Sequence, residues 1–224
     1  MELELFLFDF CPYCQRVSMI ADHLGIAHQA IQLGGSDRPT WFGEISPHKT
    51  VPALRMGTVG IFDSSVIAEY LNELAQGRML PETPLERAVC RSWIGQAGHC
   101  QGLLTQICLA ASQEDFEAGR KELVGTLEKM ENLPLAQGQS GFNGAELSLV
   151  DAAMAPLFTR LAHIETLHPI LPSIGLERVR AWSDRLLSES VVIRSVPQNF
   201  PMRFQGFLKN KAPGGFLTTR LTSA

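Results

Sequence analysis

The chain has 224 residues, 45% of them hydrophobic and 19% charged, enough to bury the core of one large domain or two small ones. The net charge of −4 argues against nucleic acid or an anionic membrane as the main partner. Arg203, Lys209, Lys211 and Arg220 do form a basic stretch without acids, which reads as a solvated tail.

Five cysteines, an odd number in a chain too long to need staples, fit a reducing compartment rather than a disulfide scaffold. Met1 is followed by Glu2 and Glu4 instead of a basic segment, so no signal peptide is expected and a cytoplasmic location is. The longest uncharged run, Ser92 to Gln113, has 22 residues but holds three glycines, four glutamines and His99. It reads as a buried or cleft-lining helix, and no membrane association is expected.

In chain order, Leu3, Leu5 and Leu7 alternate with Glu2, Glu4 and Phe6, which predicts a strand. Pro12 opens a helix whose Val17, Ile20, Ala21 and Leu24 recur at helical spacing before Gly25. "HQAIQL" (28–33) is a second strand and "RPTWFGEIS" (38–46) a short helix. "VPALRMGTVGIF" (51–62) makes two strands around Gly57, and "SSVIAEYLNELA" (64–75) a helix. This β-α-β-α-β-β-α order implies a small mixed sheet covered by helices, residues 1–76. "QGRMLPETP" (76–84) carries two prolines and a glycine and marks a linker, 77–84. Helical patterns then run over 85–111, 114–132, 148–165 and 176–190, separated by "LPLAQGQSGFNGAE" and "HPILPSIG". Residues 85–224 thus form an all-helical domain, with 201–216 read as an extended tail. Ser148 stands three residues before Asp151, ahead of an apolar run, the pattern of a capping box with Asp in place of Glu.

The chemistry concentrates at Cys11 and Cys14. A closed zinc site needs four ligands, yet Cys90, Cys100 and Cys108 lie in a helical pattern and read as buried sulfur, so no metal is expected. Haem attachment wants His after the second cysteine, and Gln15 is there. A cysteine just before Pro12, at a strand-to-helix junction, meets the free amides and positive end of the helix, which favour a thiolate. Three-residue spacing sets Cys14 one turn deeper on the same face. A free thiol is roughly 7% ionised at pH 7.4, so full ionisation gains about thirteen-fold. Nucleophilicity falls by a similar factor, with a Brønsted slope of about 0.5. The net benefit of a low pKa lies in leaving-group ability, which favours disulfide turnover over one-way conjugation.

"CPYC" with its helix, "SPHKTVPAL" (46–54) and "FDSSVIAEYL" (62–71) together resemble the cytosolic glutathione transferase superfamily. The resemblance implies an α/β thioredoxin-like N-terminal domain followed by an all-α C-terminal domain. "RPTWFGEISPHKTVPAL" (38–54) is similar to the omega class, while Cys14, where that class carries Ala, is similar to glutaredoxins. By this likeness Cys11 is the nucleophile and Cys14 auxiliary. Val51-Pro52 matches the family's cis-proline turn, whose backbone would pair with glutathione as a short added strand. Asp63 would hold the γ-glutamyl ammonium, and Ser64 at the helix start the γ-glutamyl carboxylate. Arg38 would pair with the glycyl carboxylate and Tyr13 would flank the ligand sulfur. The bland alternatives are a helix cap for Ser64 and a surface charge for Arg38. Lys49 is displaced by one residue from the family's position, and Asp63 stands where Glu is commoner. His163 and His168 read as helix-end or loop residues.

The activity expected is glutathione-dependent thiol–disulfide exchange on small-molecule or protein mixed disulfides, with dehydroascorbate reduction as a further reaction of the resembled class. The rivals are conjugation of glutathione to electrophiles and a non-enzymatic stress-regulatory binding module. The second substrate is expected to face Trp93, Gln96 and Leu103. Gly95, Gly98 and Gly102 suit either close helix packing or a roomy cleft. Family analogy implies a homodimer.

Overall fold

The computed structural model describes residues 2–34, 38–132, 142–144 and 146–220. Part of the "LPLAQGQSGFNGAE" separator and the last four residues of the chain lie outside that set.

The first unit consists of β1 (Leu3–Leu7), α1 (Pro12–His23), β2 (Gln29–Gln32), β3 (Ala53–Met56), β4 (Val59–Phe62) and α2 (Ser64–Leu74). A 3-10 helix, Thr40–Glu44, lies between β2 and β3. The sheet order is β2-β1-β3-β4. β1 runs parallel to β2 and antiparallel to β3, with Leu5 opposite both Ala30 and Leu54, and β3 pairs antiparallel with β4. As a central strand β1 is covered on both faces. Leu3, Leu5 and Leu7 join the main core with Val17, Ile20, Ile67 and Leu71. Phe6, which alternation groups with Glu2 and Glu4, is also fully buried, in a second cluster with Leu33, Phe42, Ile45 and Ala53. The 3-10 helix supplies that cover. Gly60 of β4 permits it: a Cβ there would meet the Ile45 Cα at 2.8 Å and its carbonyl oxygen at 2.9 Å.

The second unit is helical: α3 (Pro84–Leu109), α4 (Gln113–Glu131), α5 (Leu149–Glu165), α6 (Glu177–Ser188), α7 (Ser190–Arg194), α8 (Phe200–Lys211) and α9 (Phe216–Arg220). α5 is its axis, buried on every side from Leu149 to Phe158, and it packs against α3, α6 and, across the domain boundary, α1. An apolar helix of this kind is stable only in a core. No helix of the described residues is long and apolar enough to cross a membrane.

The start of α5 is closed by oxygen. Ser148 Oγ accepts from the Asp151 amide at 3.2 Å, and Asp151 accepts from the Ser148 amide at 2.8 Å. The same carboxylate takes the Trp182 indole N–H at 2.6 Å and the Phe142 amide at 3.1 Å, with Arg185 at 3.5 Å. Asp151 is wholly buried, so its charge is held by a full set of donors.

The segment 201–216 is not an extended tail. Pro201 sits in the first turn of α8, where a missing amide costs nothing, and the helix then runs to Lys211. Phe200, Phe204 and Leu208 form its buried stripe, and Phe207 stacks on Phe10 with centroids 5.4 Å apart. Arg203 pairs with Asp9 at 2.9 Å and lies over the Phe10 ring, and Arg220 lies 3.6 Å from the Phe216 centroid. Two of the four cations expected to be solvated are therefore docked.

Candidate active site

Cys11 is the N-cap of α1, with extended backbone (φ −75°, ψ 118°) and Pro12 in the first turn. Its carbonyl accepts from the Gln15 amide at 3.1 Å, its amide donates to the Phe8 carbonyl at 3.0 Å, and its side chain makes no capping bond. The Cys11 thiol instead points to the Val51 carbonyl, at 3.6 Å across the cis Val51-Pro52 peptide. Its pKa is lowered to about 7. The largest cause is a hydrogen bond from the Cys14 side chain; burial opposes it, and the amides of Cys14 and Tyr13 and the charge of Arg160 assist. Roughly 70% of such a sulfur is thiolate at pH 7.4. Cys14 is buried, and burial pushes its thiol far above the usual range, with the neighbouring Cys11 acting in the same direction. The Phe8 amide donates to the Cys14 sulfur at 3.3 Å. One sulfur is thus ionised in half or more of the molecules from pH 7 upward, and its neighbour is a protonated donor.

Beside Cys11, α2 is capped by Asp63, whose φ of 72° is in the left-handed region. Its Oδ1 accepts from the Ser65 amide at 2.8 Å and the Val66 amide at 3.3 Å, which holds a conformation that a non-glycine rarely adopts. Ser64 is buried, and its Oγ accepts from Arg16 Nη1 at 3.3 Å; the same nitrogen donates to Ser65 Oγ at 3.2 Å. Tyr13 is half-buried with its ring 5.7 Å from the Arg16 guanidinium, and burial holds its phenol protonated. The structure therefore gathers Cys11, Cys14, Tyr13, Val51, Pro52, Asp63 and Ser64 around the starts of α1 and α2. Arg38 is half-buried and donates to the Gly34 carbonyl at 2.6 Å, with its charge reaching Cys14. Lys49 is exposed with φ 52°, and its amide donates to the Ser46 carbonyl at 2.8 Å.

A cavity of about 440 Å³ opens on Cys11 between the domains. Phe8, Phe10 and Pro12 line one side; Leu104, Cys108, Phe204 and Phe207 line the other. Gln101, Thr105, Arg160 and Lys211 are the polar groups of the wall.

None of the three residues expected to form this cleft does so. Trp93 packs on Phe142 beside a separate cavity of about 710 Å³, Gln96 lines a groove against α4, and Leu103 is buried in the core. The face of α3 that meets Cys11 lies further along the helix, at 101, 104, 105 and 108. Within this chain a Cβ on Gly95, Gly98 or Gly102 would meet nothing within 4 Å, and none of the three lines the Cys11 cavity.

Three contributors were not found from sequence: Arg16, Arg160 and the α8 aromatics. The spacing of Phe200, Phe204, Phe207 and Leu208 was the available signal for α8. His163 lies in the last turn of α5 against Phe204, and His168 packs on Phe116 and Phe216. Among the described residues no cluster of His, Cys, Asp and Glu could hold a metal.

A thioredoxin-like sheet domain, a helical domain and a cysteine at their junction define a glutathione transferase fold, and comparison with known proteins agrees. The family described as "Glutathione S-transferase, N-terminal domain" matches residues 10–74, and "Glutathione S-transferase, C-terminal domain" matches 113–185, together more than half of the chain. The chain belongs to the glutathione S-transferase family and is an enzyme of it, with activity of the glutathione-dependent transferase or oxidoreductase kind. It is similar to glutathione S-transferase omega-1 of Sus scrofa, 28% identical over 166 residues, 73% of this chain and 68% of the relative. It is also similar to glutathione S-transferase DHAR2 of Arabidopsis thaliana, 29% identical over 173 residues, 77% of this chain and 72% of the relative. The solved structure of rice GST1 in complex with glutathione superposes with a TM-score of 0.82 at 20% identity, covering 95% of this chain and 99% of that one.

Proposed function

We propose that this enzyme is a glutathione-dependent thiol–disulfide oxidoreductase, omega-like in lineage and glutaredoxin-like in its Cys-Pro-Tyr-Cys site. The single observation that carries the reading is a half-buried Cys11 sulfur with a pKa of about 7, held at a helix N-terminus and facing an apolar cavity.

In the proposed cycle the Cys11 thiolate attacks the glutathione sulfur of a mixed disulfide. A Cys11–glutathione disulfide forms, the old S–S bond breaks, and the substrate sulfur leaves as a thiolate that takes a proton from water. A second glutathione thiolate then attacks the glutathione sulfur bound to Cys11, releasing oxidised glutathione and restoring the Cys11 thiolate. The low pKa assists this second step, because Cys11 is its leaving group. Cys14 is a poor attacker, so an internal Cys11–Cys14 disulfide is a side route.

Glutathione in this reading lies along Val51 and Pro52 with its sulfur toward Cys11 and Tyr13. Its γ-glutamyl carboxylate sits at the α2 N-terminus on Ser64, backed by Arg16, and its ammonium on Asp63. Arg38 is assigned to the glycyl carboxylate, for which it would have to release the Gly34 carbonyl. Dehydroascorbate reduction fits the same intermediate. A homodimer in the cytoplasm completes the proposal, supported by exposed apolar Phe62, Val66, Leu85 and Val89 and by five free cysteines.

The test is a mixed-disulfide assay on Cys11→Ser beside the parent. Loss of turnover with the fold retained supports the mechanism, and an active variant rejects it. A chloronitrobenzene conjugation assay on the same preparation separates this activity from its rival.

A further inference from the structure

Arg160 belongs to α5 of the helical domain, yet its guanidinium serves the other domain. Nη2 donates to the Phe10 carbonyl at 3.0 Å, and Nη1 to Gln15 Oε1 at 2.7 Å and to the Pro156 carbonyl at 2.9 Å. Phe10 and Gln15 bracket Cys11, one residue before it and one helical turn after. Gln15 in turn donates to Thr159 Oγ1 at 3.2 Å and Ser195 Oγ at 3.0 Å. The Cys11 turn is thereby anchored to the helical domain on both sides. Arg160 is 3% exposed, covered by Phe200 and Phe204 at 5.3 and 5.9 Å from their ring centroids, and it shares the cavity wall with Cys11.

All three acceptors are neutral. A buried guanidinium is costly unless an opposite charge offsets it, and a neutral side chain could bridge carbonyls at lower cost. Burial lowers the Arg160 pKa only to about 10, so it stays cationic at neutral pH.

We propose that Arg160 is a positioning residue for Cys11, clasping the turn on both sides of that cysteine and setting a fixed positive charge behind its sulfur. The planar fork of arginine suits two divergent acceptors better than a lysine ammonium does. The charge acts at both ends of the exchange cycle, where Cys11 is an anion before attack and after release.

The proposal rests on Cys11 being the reacting sulfur. Its test needs neither glutathione nor turnover, so its failure would leave that reading standing. Among the described residues the other ionisable groups near Cys11 are Tyr13, Cys14 and Arg16 on α1, Asp63 at the N-cap of α2, Cys108 on α3, Lys211 on α8, and Arg38, whose charge reaches Cys14. Replacing Arg160 alone isolates its part.

The experiment measures alkylation of Cys11 by iodoacetamide from pH 5 to 9, read by peptide mass, on the full chain carrying Arg160→Gln, Arg160→Met or Arg160→Lys. Gln keeps hydrogen-bonding groups without charge, Met fills the space without either, and Lys keeps the charge. The expected result is a midpoint about 0.3–0.5 unit higher in the Gln and Met variants, hence alkylation about two- to threefold slower at pH 6. Rates should converge at pH 9, and Lys should restore most of the shift. An unmoved midpoint in a folded neutral variant overturns the proposal, whatever its thermal stability. Failure of both neutral variants to fold would make Arg160 a structural residue and also overturn it.

Discussion

α1 and α5 begin on the same plan, a short side chain at the N-cap and a second of the same element three residues on: Cys11 and Cys14, Ser148 and Asp151. In α5 the oxygen pair closes the helix end, each side chain taking the other's amide, with Trp182 and Arg185 completing the carboxylate's shell. In α1 the sulfur pair leaves the end open. Cys11 makes no capping bond, and the amides of Tyr13 and Cys14 act instead to hold a negative sulfur. A helix N-terminus is a small reservoir of positive potential. Filled by oxygen it stabilises the fold; left to sulfur it stabilises a reactive anion.

That contrast can be broken in order of expected effect. Cys11→Ser should reduce mixed-disulfide turnover to the uncatalysed rate. Serine is a better cap than cysteine, so denaturant unfolding should show equal or greater stability, by up to about 1 kcal/mol. Asp151→Ala should do the reverse. It leaves buried donors unpaired and costs about 3–5 kcal/mol by urea denaturation, while the Cys11 alkylation midpoint in the folded fraction stays put.

The pH profile sharpens the comparison further. The Cys11 pKa is lowered, so its thiolate dominates above about pH 7 and is lost as pH falls through that value. Alkylation should be flat above pH 8 and about tenfold below its plateau at pH 6. The smallest effect on turnover belongs to Cys14→Ser. Because its side chain donates to the thiolate, Cys14→Ser should keep turnover within about twofold, whereas Cys14→Ala should raise the midpoint by removing the donor. Equal midpoints in the Ser and Ala variants would deny Cys14 that role.

What the sequence revealed and what it hid divide along contact range. The strand-to-helix junction at Cys11, the Val51-Pro52 turn and the Ser148/Asp151 pair are local patterns, set by residues within a few positions of one another. Arg160 meets Phe10 across 150 positions, and nothing near either residue announces the contact. The wall of the Cys11 cavity depends on which stretch of the 26-residue α3 the other domain covers. Helical periodicity gives the faces of a helix, not its neighbours, so it points to Trp93, Gln96 and Leu103 where the fold presents Gln101, Leu104, Thr105 and Cys108. In 201–216 the prolines and glycines spoke louder than the Phe200–Phe204–Leu208 stripe. Pro201 opens α8, and Pro213, Gly214 and Gly215 lie between α8 and α9, so the same punctuation that suggested an extended tail delimits two short helices.

The central claim is that one sulfur among five is poised to exchange with glutathione. Incubation of the reduced, folded protein with oxidised glutathione, followed by peptide mass mapping, reads it directly. The account predicts a glutathione adduct on the peptide bearing Cys11 and none on those bearing Cys90, Cys100 or Cys108. A folded protein left unmodified at Cys11, or modified first at another cysteine, would contradict it.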